Sequence, residues 1–319
     1  MDIKAENTQF INNENKEYKG YGFKYTKNKK IFAIISAVMV VVGLVSFFVR
    51  GFNWDIDFVG GTILEYNIGK TLDVSDQENI ERIVSEVTGQ SGPIVQIMEE
   101  RQISIKTLEL TTAERDDIFR AVAAEYDITE DDIYRVEFIA PTVGAELRRT
   151  TIIAVLVAVA LMLVYITIRF DFLSGVAGVL CLTHDMFLML TFYSLLQIPM
   201  NTAVIAALLT ILGYSINATI IVFDRVRENL RLSKHGANFS ETVDTSINQT
   251  LFRSINTTIT TLLTIITIYI LGVTSIRNFV FPLIIGITGG LYSSVCLAGS
   301  LWDTFKKLSE KSKAKRAKK

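Results

Sequence analysis

Inside the apolar part of this sequence sit a few side chains that can bind or carry a proton. His184 and Asp185 are adjacent in LTHDMF. Asp224 closes the apolar run of GYSINATIIVFDRVREN, and Arg253 opens RSINTTITTLL. Polar groups placed in hydrocarbon cost free energy unless they find partners, so they mark ion paths or helix contacts. Gly213, Asn217 and Asp224, separated by four and then seven residues, share one helical face. Asn256, Thr257, Thr260 and Thr261 form a polar stripe that could meet that face through interhelical hydrogen bonds. Asn217 and Arg253 read as parts of a polar functional site. For His184 and Asp185 a helix-joining polar pair is the first reading and a proton relay the second. Between Asn217 and Thr219 stands Ala218, which cannot titrate.

A second group lies in NWDIDFVGGT. Asp55 and Asp57 precede Phe58, Gly60 and Gly61, and paired glycines permit positive φ or close backbone approach. The same inventory excludes other chemistry. Two histidines and no HExxH argue against a zinc site, and no metal or other cofactor is expected. Cys181 and Cys296 fall in apolar runs and read as small buried residues. With no nucleophile triad and no phosphate loop, an enzyme acting on covalent bonds is not expected.

These residues must be positioned by membrane helices. Half of the 319 residues are hydrophobic and mean hydropathy is +0.35, too apolar for an ordinary soluble domain. Residues 31–49 carry no charge and are long enough to cross a hydrocarbon core of roughly 30 Å. Further spans are expected at 150–168, 174–195, 202–223, 255–271 and 279–301. Residues 286, 290 and 294 (Gly, Gly, Ser) give the sixth span a small-residue packing face. Lysine and arginine concentrate before the first span, at Arg169, in 225–234 and in the tail from 302, which has eight Lys/Arg against two acids. The positive-inside rule then puts both termini in the cytoplasm of a plasma or inner membrane. The polybasic run at 306–319 is expected to be unstructured and to touch anionic lipid. It has no aromatic platform for nucleic acid. The segment 225–248 is expected to lie partly as an amphipathic helix on the inner leaflet.

Residues 50–149 fall outside, with 21 Asp/Glu against 10 Lys/Arg. TILEYNI reads as a strand, followed by a helix with Ile80, Ile83, Val84 and Val87 on one face and Gly89 at its end. PIVQIMEE and QISIKTLEL read as a hairpin, a second helix starts near Thr111 or Thr112, and DIYRVEFI is a last strand. The βαββαβ order predicts a ferredoxin-like α+β domain between helices one and two of a six-helix membrane protein.

This order of motifs resembles the SecD/SecF family of bacterial protein-export subunits, in the resistance-nodulation-division superfamily. The motifs are NWDIDFVGGT, APTVGAELRR, RFDF with LTHDMF, GYSINATIIVFDRVREN and RSINTTITTLL, each at the expected span. The resemblance implies an accessory subunit that pairs with a SecD-like subunit beside the Sec translocon channel. Such a subunit would use a proton or sodium gradient to promote movement of exported polypeptides. It also implies an aspartate after the fourth-span asparagine, where this chain has Ala218, and a functional arginine at Arg253. Two other readings stand beside it: a half-size exporter of small molecules or lipids, and a non-energised scaffold.

Overall fold

The computed structural model describes residues 22–90, 92–98, 101–232, 238–272 and 274–316. The first apolar run forms α1, Lys29–Arg50, about 33 Å long at 1.5 Å per residue. The chain leaves it at Gly51 and is caught by the bundle. Asp55 N–H donates to the Met200 carbonyl at 3.0 Å, and Met200 N–H donates to the Asn53 carbonyl at 2.8 Å. A single turn, α2 (Ile56–Val59), is capped by the Asp55 carboxylate.

The outside domain then folds as expected. Its elements are β1 (Gly61–Asn67), α3 (Val74–Thr88), β2 (Ile94–Met98), β3 (Gln102–Thr107), α4 (Thr112–Tyr126) and β4 (Ile133–Ile139). Sheet order is β2-β3-β1-β4 with every pairing antiparallel, the ferredoxin-like arrangement. Local chemistry fixes the helices. Asp73 and Asp76 form a capping box on α3, Thr111 and Glu114 form one on α4, and Gly89 ends α3 in the left-handed conformation. Both helices cover one sheet face, around a core of Leu64, Tyr66, Ile80, Val84, Ile103, Ile105, Ile118 and Val122. Strand alternation sends Glu65, Ser104, Lys106, Arg135 and Glu137 to the other face, the wall of a cleft of ≈ 510 Å³ toward the bundle.

Five more long helical segments follow. They are α5 (Pro141–Arg169), α6 (Phe172–Leu196), α7 (Ala203–Leu232), α8 (Phe239–Leu271), and a last one built of α9 (Thr274–Tyr292), a π-helical turn (Ser293–Ala298) and α10 (Gly299–Arg316). Among the described residues, six helices are long and apolar enough to cross a membrane. α6, α7 and the last segment form the buried centre, with α1, α5 and α8 outside them.

Several boundaries differ from the sequence reading. α5 starts at Pro141, so 141–149 are the charged stem of a spanning helix and not part of the sheet domain. Proline at the first helical position favours that start. The 225–248 segment forms no separate surface helix. It continues α7 and begins α8, with 233–237 outside the described residues. The basic tail is helical through Arg316, in keeping with a Lys-rich stretch lacking Gly and Pro. Residues 1–21 and 317–319 lie outside the described residues.

Candidate functional site

The glycine pair works at the membrane surface. Gly60 (φ 88°) would place a Cβ 2.6 Å from Pro141 Cα, and Gly61 (φ 154°) would place one 2.2 Å from the Thr107 carbonyl oxygen. Side chains are excluded at both, because the chain touches the start of α5 at Gly60 and the β3 backbone at Gly61. Gly144 is held the same way, with Phe58 backbone 2.7 Å from its would-be Cβ. Asp55 is 1% exposed and pairs with Lys106 Nζ at 2.6 Å. Asp57 accepts from the backbone N–H of Thr202 at 2.9 Å and from its hydroxyl at 3.0 Å. Phe58 is buried beside Trp54. The motif is thus a junction binding sheet domain to bundle, with two carboxylates as its fasteners.

Deeper in the bundle, two apolar clusters enclose a polar layer. Met189, Tyr193, Val204, Ala207, Ile211 and Leu283 pack at the end near the sheet domain. Ala177, Cys181, Val222, Phe223, Val295 and Trp302 pack at the other end. Between them lies Asp185 on α6, fully buried. Its Oδ2 accepts from Ser215 Oγ of α7 at 2.5 Å and from Ser293 Oγ of the π turn at 2.6 Å. Its Oδ1 lies 3.0 Å from His184 Nδ1. When the Asp185 carboxyl is ionised it only accepts, so in that state the ring nitrogen facing it carries the proton and Nε2 is the acceptor. That Nε2 is buried without a hydrogen bond, as is the Thr219 hydroxyl one turn along α7 from Ser215. Hydrogen bonds to a charged group contribute about 1.5–3 kcal/mol each, so Asp185 ties three helical segments together. Close packing permits this: a Cβ on Gly286 would meet Ile211 at 2.2 Å, and one on Gly290 would meet Ser215 at 3.2 Å.

Other sequence-predicted residues are not drawn into this layer. Asn217 is exposed on the outer face of α7, while Ala218 is buried at 7% exposure. Arg253 and Asn256 are exposed on α8, and among the described residues Arg253 has no ion pair. The expected meeting of the α8 stripe with Asn217 is replaced by a partial one. Tyr214 OH donates to Thr258 at 3.4 Å and Thr261 at 3.5 Å, whereas Thr257, Thr260 and Thr261 satisfy their own hydroxyls on carbonyls of α8. Asp224 is half exposed at the end away from the sheet domain and pairs with Arg169 at 3.3 Å. Sequence reasoning did not join Ser215 or Thr219 to Asp185, and it missed Ser293. The i, i+4 spacing of Ser215 and Thr219 was the available signal.

Comparison with known proteins gives the same picture. The family description "Protein export membrane protein SecD/SecF, C-terminal" matches residues 119–308, and "SecD/SecF GG Motif" matches residues 45–71. Protein translocase subunit SecF of Acidaminococcus fermentans is 36% identical over 288 residues, covering 89% of this chain and 98% of that one. Protein translocase subunit SecDF of Thermus thermophilus is 38% identical over 84% of this chain but only 37% of its own length. The crystal structure of SecDF from that organism, a translocon-associated membrane protein, has a TM-score of 0.78 at 34% identity. It matches 89% of this chain, which spans 39% of that structure. The GG junction, the ferredoxin-like domain and the six spanning helices are therefore those of a multi-pass cell-membrane protein that belongs to the SecD/SecF family of protein-export membrane proteins.

Proposed function

We propose that this chain is the SecF-type half of a translocase accessory complex, and that it drives polypeptide export with a transmembrane ion gradient. It does so as a mechanical subunit, with both termini in the cytoplasm and the sheet domain outside. The observation that carries the reading is the outer surface of α7 and α8. Asn217, Arg253, Asn256, Thr257 and Thr260 are exposed there on helices built to lie in a bilayer. Lipid cannot satisfy Asn217, Asn256 or an arginine without a counter-ion, so this face fits a second membrane subunit. Relatives in which one longer chain carries the match, the SecDF proteins, support a SecD-type half as that subunit.

In such a pair the titratable partner of Arg253 comes from the other subunit, because position 218 here is an alanine. An acid within about 4–6 Å of the guanidinium is held ionised, and its protonation requires the two to separate. That links ion entry to movement of the halves. The sheet domain, fastened through Asp55 and Asp57, transmits this movement to polypeptide emerging from the Sec channel. Basic residues at the opposite end, including Lys311, Lys313, Lys315 and Arg316 on the exposed last turns of α10, rest on anionic headgroups.

Site-directed crosslinking tests the pairing. Cysteine placed at Asn217 or Asn256 should form a crosslink to a co-expressed SecD-type chain in membranes. Cysteine at Ile168, exposed on α5, should not. Equal crosslinking from all three positions, or none from the first two, overturns the assignment of this face.

A further inference from the structure

We propose that His184 and Asp185 form a proton-binding site within the bundle, whose charge state sets how tightly α6 holds α7 and the π turn. This rests on the gradient-driven reading above but concerns a different place, inside this chain and away from the α7–α8 face. Three observations carry it. Asp185 is fully buried, and its two hydroxyl donors come from two other helical segments. His184 has a side chain only 9% exposed, with one ring nitrogen on Asp185 and the other buried and unpartnered. The last segment is π-helical from Ser293, the donor itself, and π turns inside helices are frequent at functional sites.

The groups facing the pair leave few competitors. α6 itself adds Cys181, whose Sγ lies 3.9 Å from the Ser293 carbonyl oxygen. The last helix adds Tyr292, whose ring is 6.0 Å from that of His184 and whose hydroxyl donates to the Phe32 carbonyl at 2.9 Å, and beyond it Cys296. α7 contributes the hydroxyls of Ser215 and Thr219, and α1 contributes Ser36, 3.1 Å from the Tyr292 hydroxyl. Among the described residues no Lys or Arg pairs with Asp185; the nitrogen it meets is that of the His184 ring.

The proton balance is simple. A proton arriving from water binds Nε2 of His184, and the proton on Nδ1 passes to Oδ1 of Asp185. The ring ends neutral with its proton on the other nitrogen, and the carboxylate becomes a carboxylic acid. The pair goes from a charge of −1 to 0, and release reverses each transfer. Hydrogen bonds to an ionised acceptor are roughly twice as strong as neutral ones, so the clamps from Ser215 and Ser293 weaken when the proton is on. The extra residue of the π turn lets Ser293 move without breaking the helix on either side.

Infrared difference spectroscopy of the full chain with its SecD-type partner in proteoliposomes tests this. Aspartate carboxyls would be isotope-labelled and the sample titrated through the histidine and carboxyl range. A protonated-carboxyl band should grow as pH falls and vanish in Asp185→Asn. It should move to higher frequency in Ser215→Ala, which removes a hydrogen bond to the carboxyl, and titrate at a different pH in His184→Gln. Should Asp185→Asn fail to assemble, the wild-type titration and the Ser215→Ala frequency decide the matter. A labelled spectrum that does not change with pH, or a band that ignores all of these substitutions, overturns the proposal. The two readings fail separately. Export without gradient dependence alongside a titrating Asp185 band leaves the site standing, and gradient-driven export without the band removes the site only.

Discussion

Gly61 offers the most quantitative test of the junction between sheet domain and membrane. A methyl group there would sit 2.2 Å from the Thr107 carbonyl oxygen and 3.0 Å from Ile56 Cγ2. The carbonyl belongs to β3, which pairs with β1 along its whole length, so it cannot retreat without disturbing the ladder. Two costs add. Holding a non-glycine residue at this backbone conformation costs about 1–3 kcal/mol. Forcing an extra carbon into a packed contact costs about 1–3 kcal/mol more. Gly61→Ala should therefore destabilise the domain by about 2–6 kcal/mol, and Gly89→Ala, strained but with open space around it, by about 1–2 kcal/mol. The assay is urea unfolding of a soluble fragment, residues 54–140, followed by circular dichroism. The fragment should fold alone, because its core draws on no residue of the bundle. If Gly61→Ala costs no more than Gly89→Ala, the close approach at the second glycine is not what the motif secures.

Other consequences are measurable in the fragment or the full chain. In the full chain Lys106→Met leaves the Asp55 carboxylate buried and unpaired, so there it should destabilise the junction by about 3–5 kcal/mol, read as a lower thermal unfolding midpoint in detergent. Hydroxyl and backbone donors at the helix caps hold the Asp73, Glu114 and Asp132 carboxyls below their usual range. Because these values are depressed on folding, their stabilisation is complete above the unfolded values near pH 4 and disappears as pH falls through the folded ones. The urea midpoint should drop with acidification below about pH 4, less steeply in Asp73→Asn. Cys181 is fully buried against the π turn, so a membrane-permeant maleimide should leave it unlabelled until the protein is denatured.

How far the sequence carries depends on whether a feature is local. The α3 face was legible because Ile80 and Val84 recur at helical spacing, and both are fully buried. The cap at Thr111 was legible because its side chain reaches only three residues along the chain. That Gly60 and Gly61 answer a backbone demand was also readable. Their partners were not, since Pro141 and Thr107 lie far off in sequence. The ends of α5, α7 and α10 were misjudged for a different reason. Helices continue beyond the hydrocarbon on charged residues that keep good helix propensity, so a drop in hydropathy marks the membrane edge and not the helix end. Asp185 shows the sharpest limit. Its residue type flagged it, but its donors are set by the packing of three segments. One donor sits in a π turn that a 3.6-residue period does not anticipate.

Export itself is the most direct test of the central claim. Membrane vesicles containing this chain and a SecD-type partner would be energised, given a reporter precursor and the Sec channel, and followed with and without an ionophore. The expected result is faster reporter translocation than in vesicles lacking the pair, with the gain abolished by collapsing the ion gradient and by Arg253→Ala in assembled complexes. A gain that survives both the ionophore and Arg253→Ala would contradict the account and leave the chain a passive scaffold.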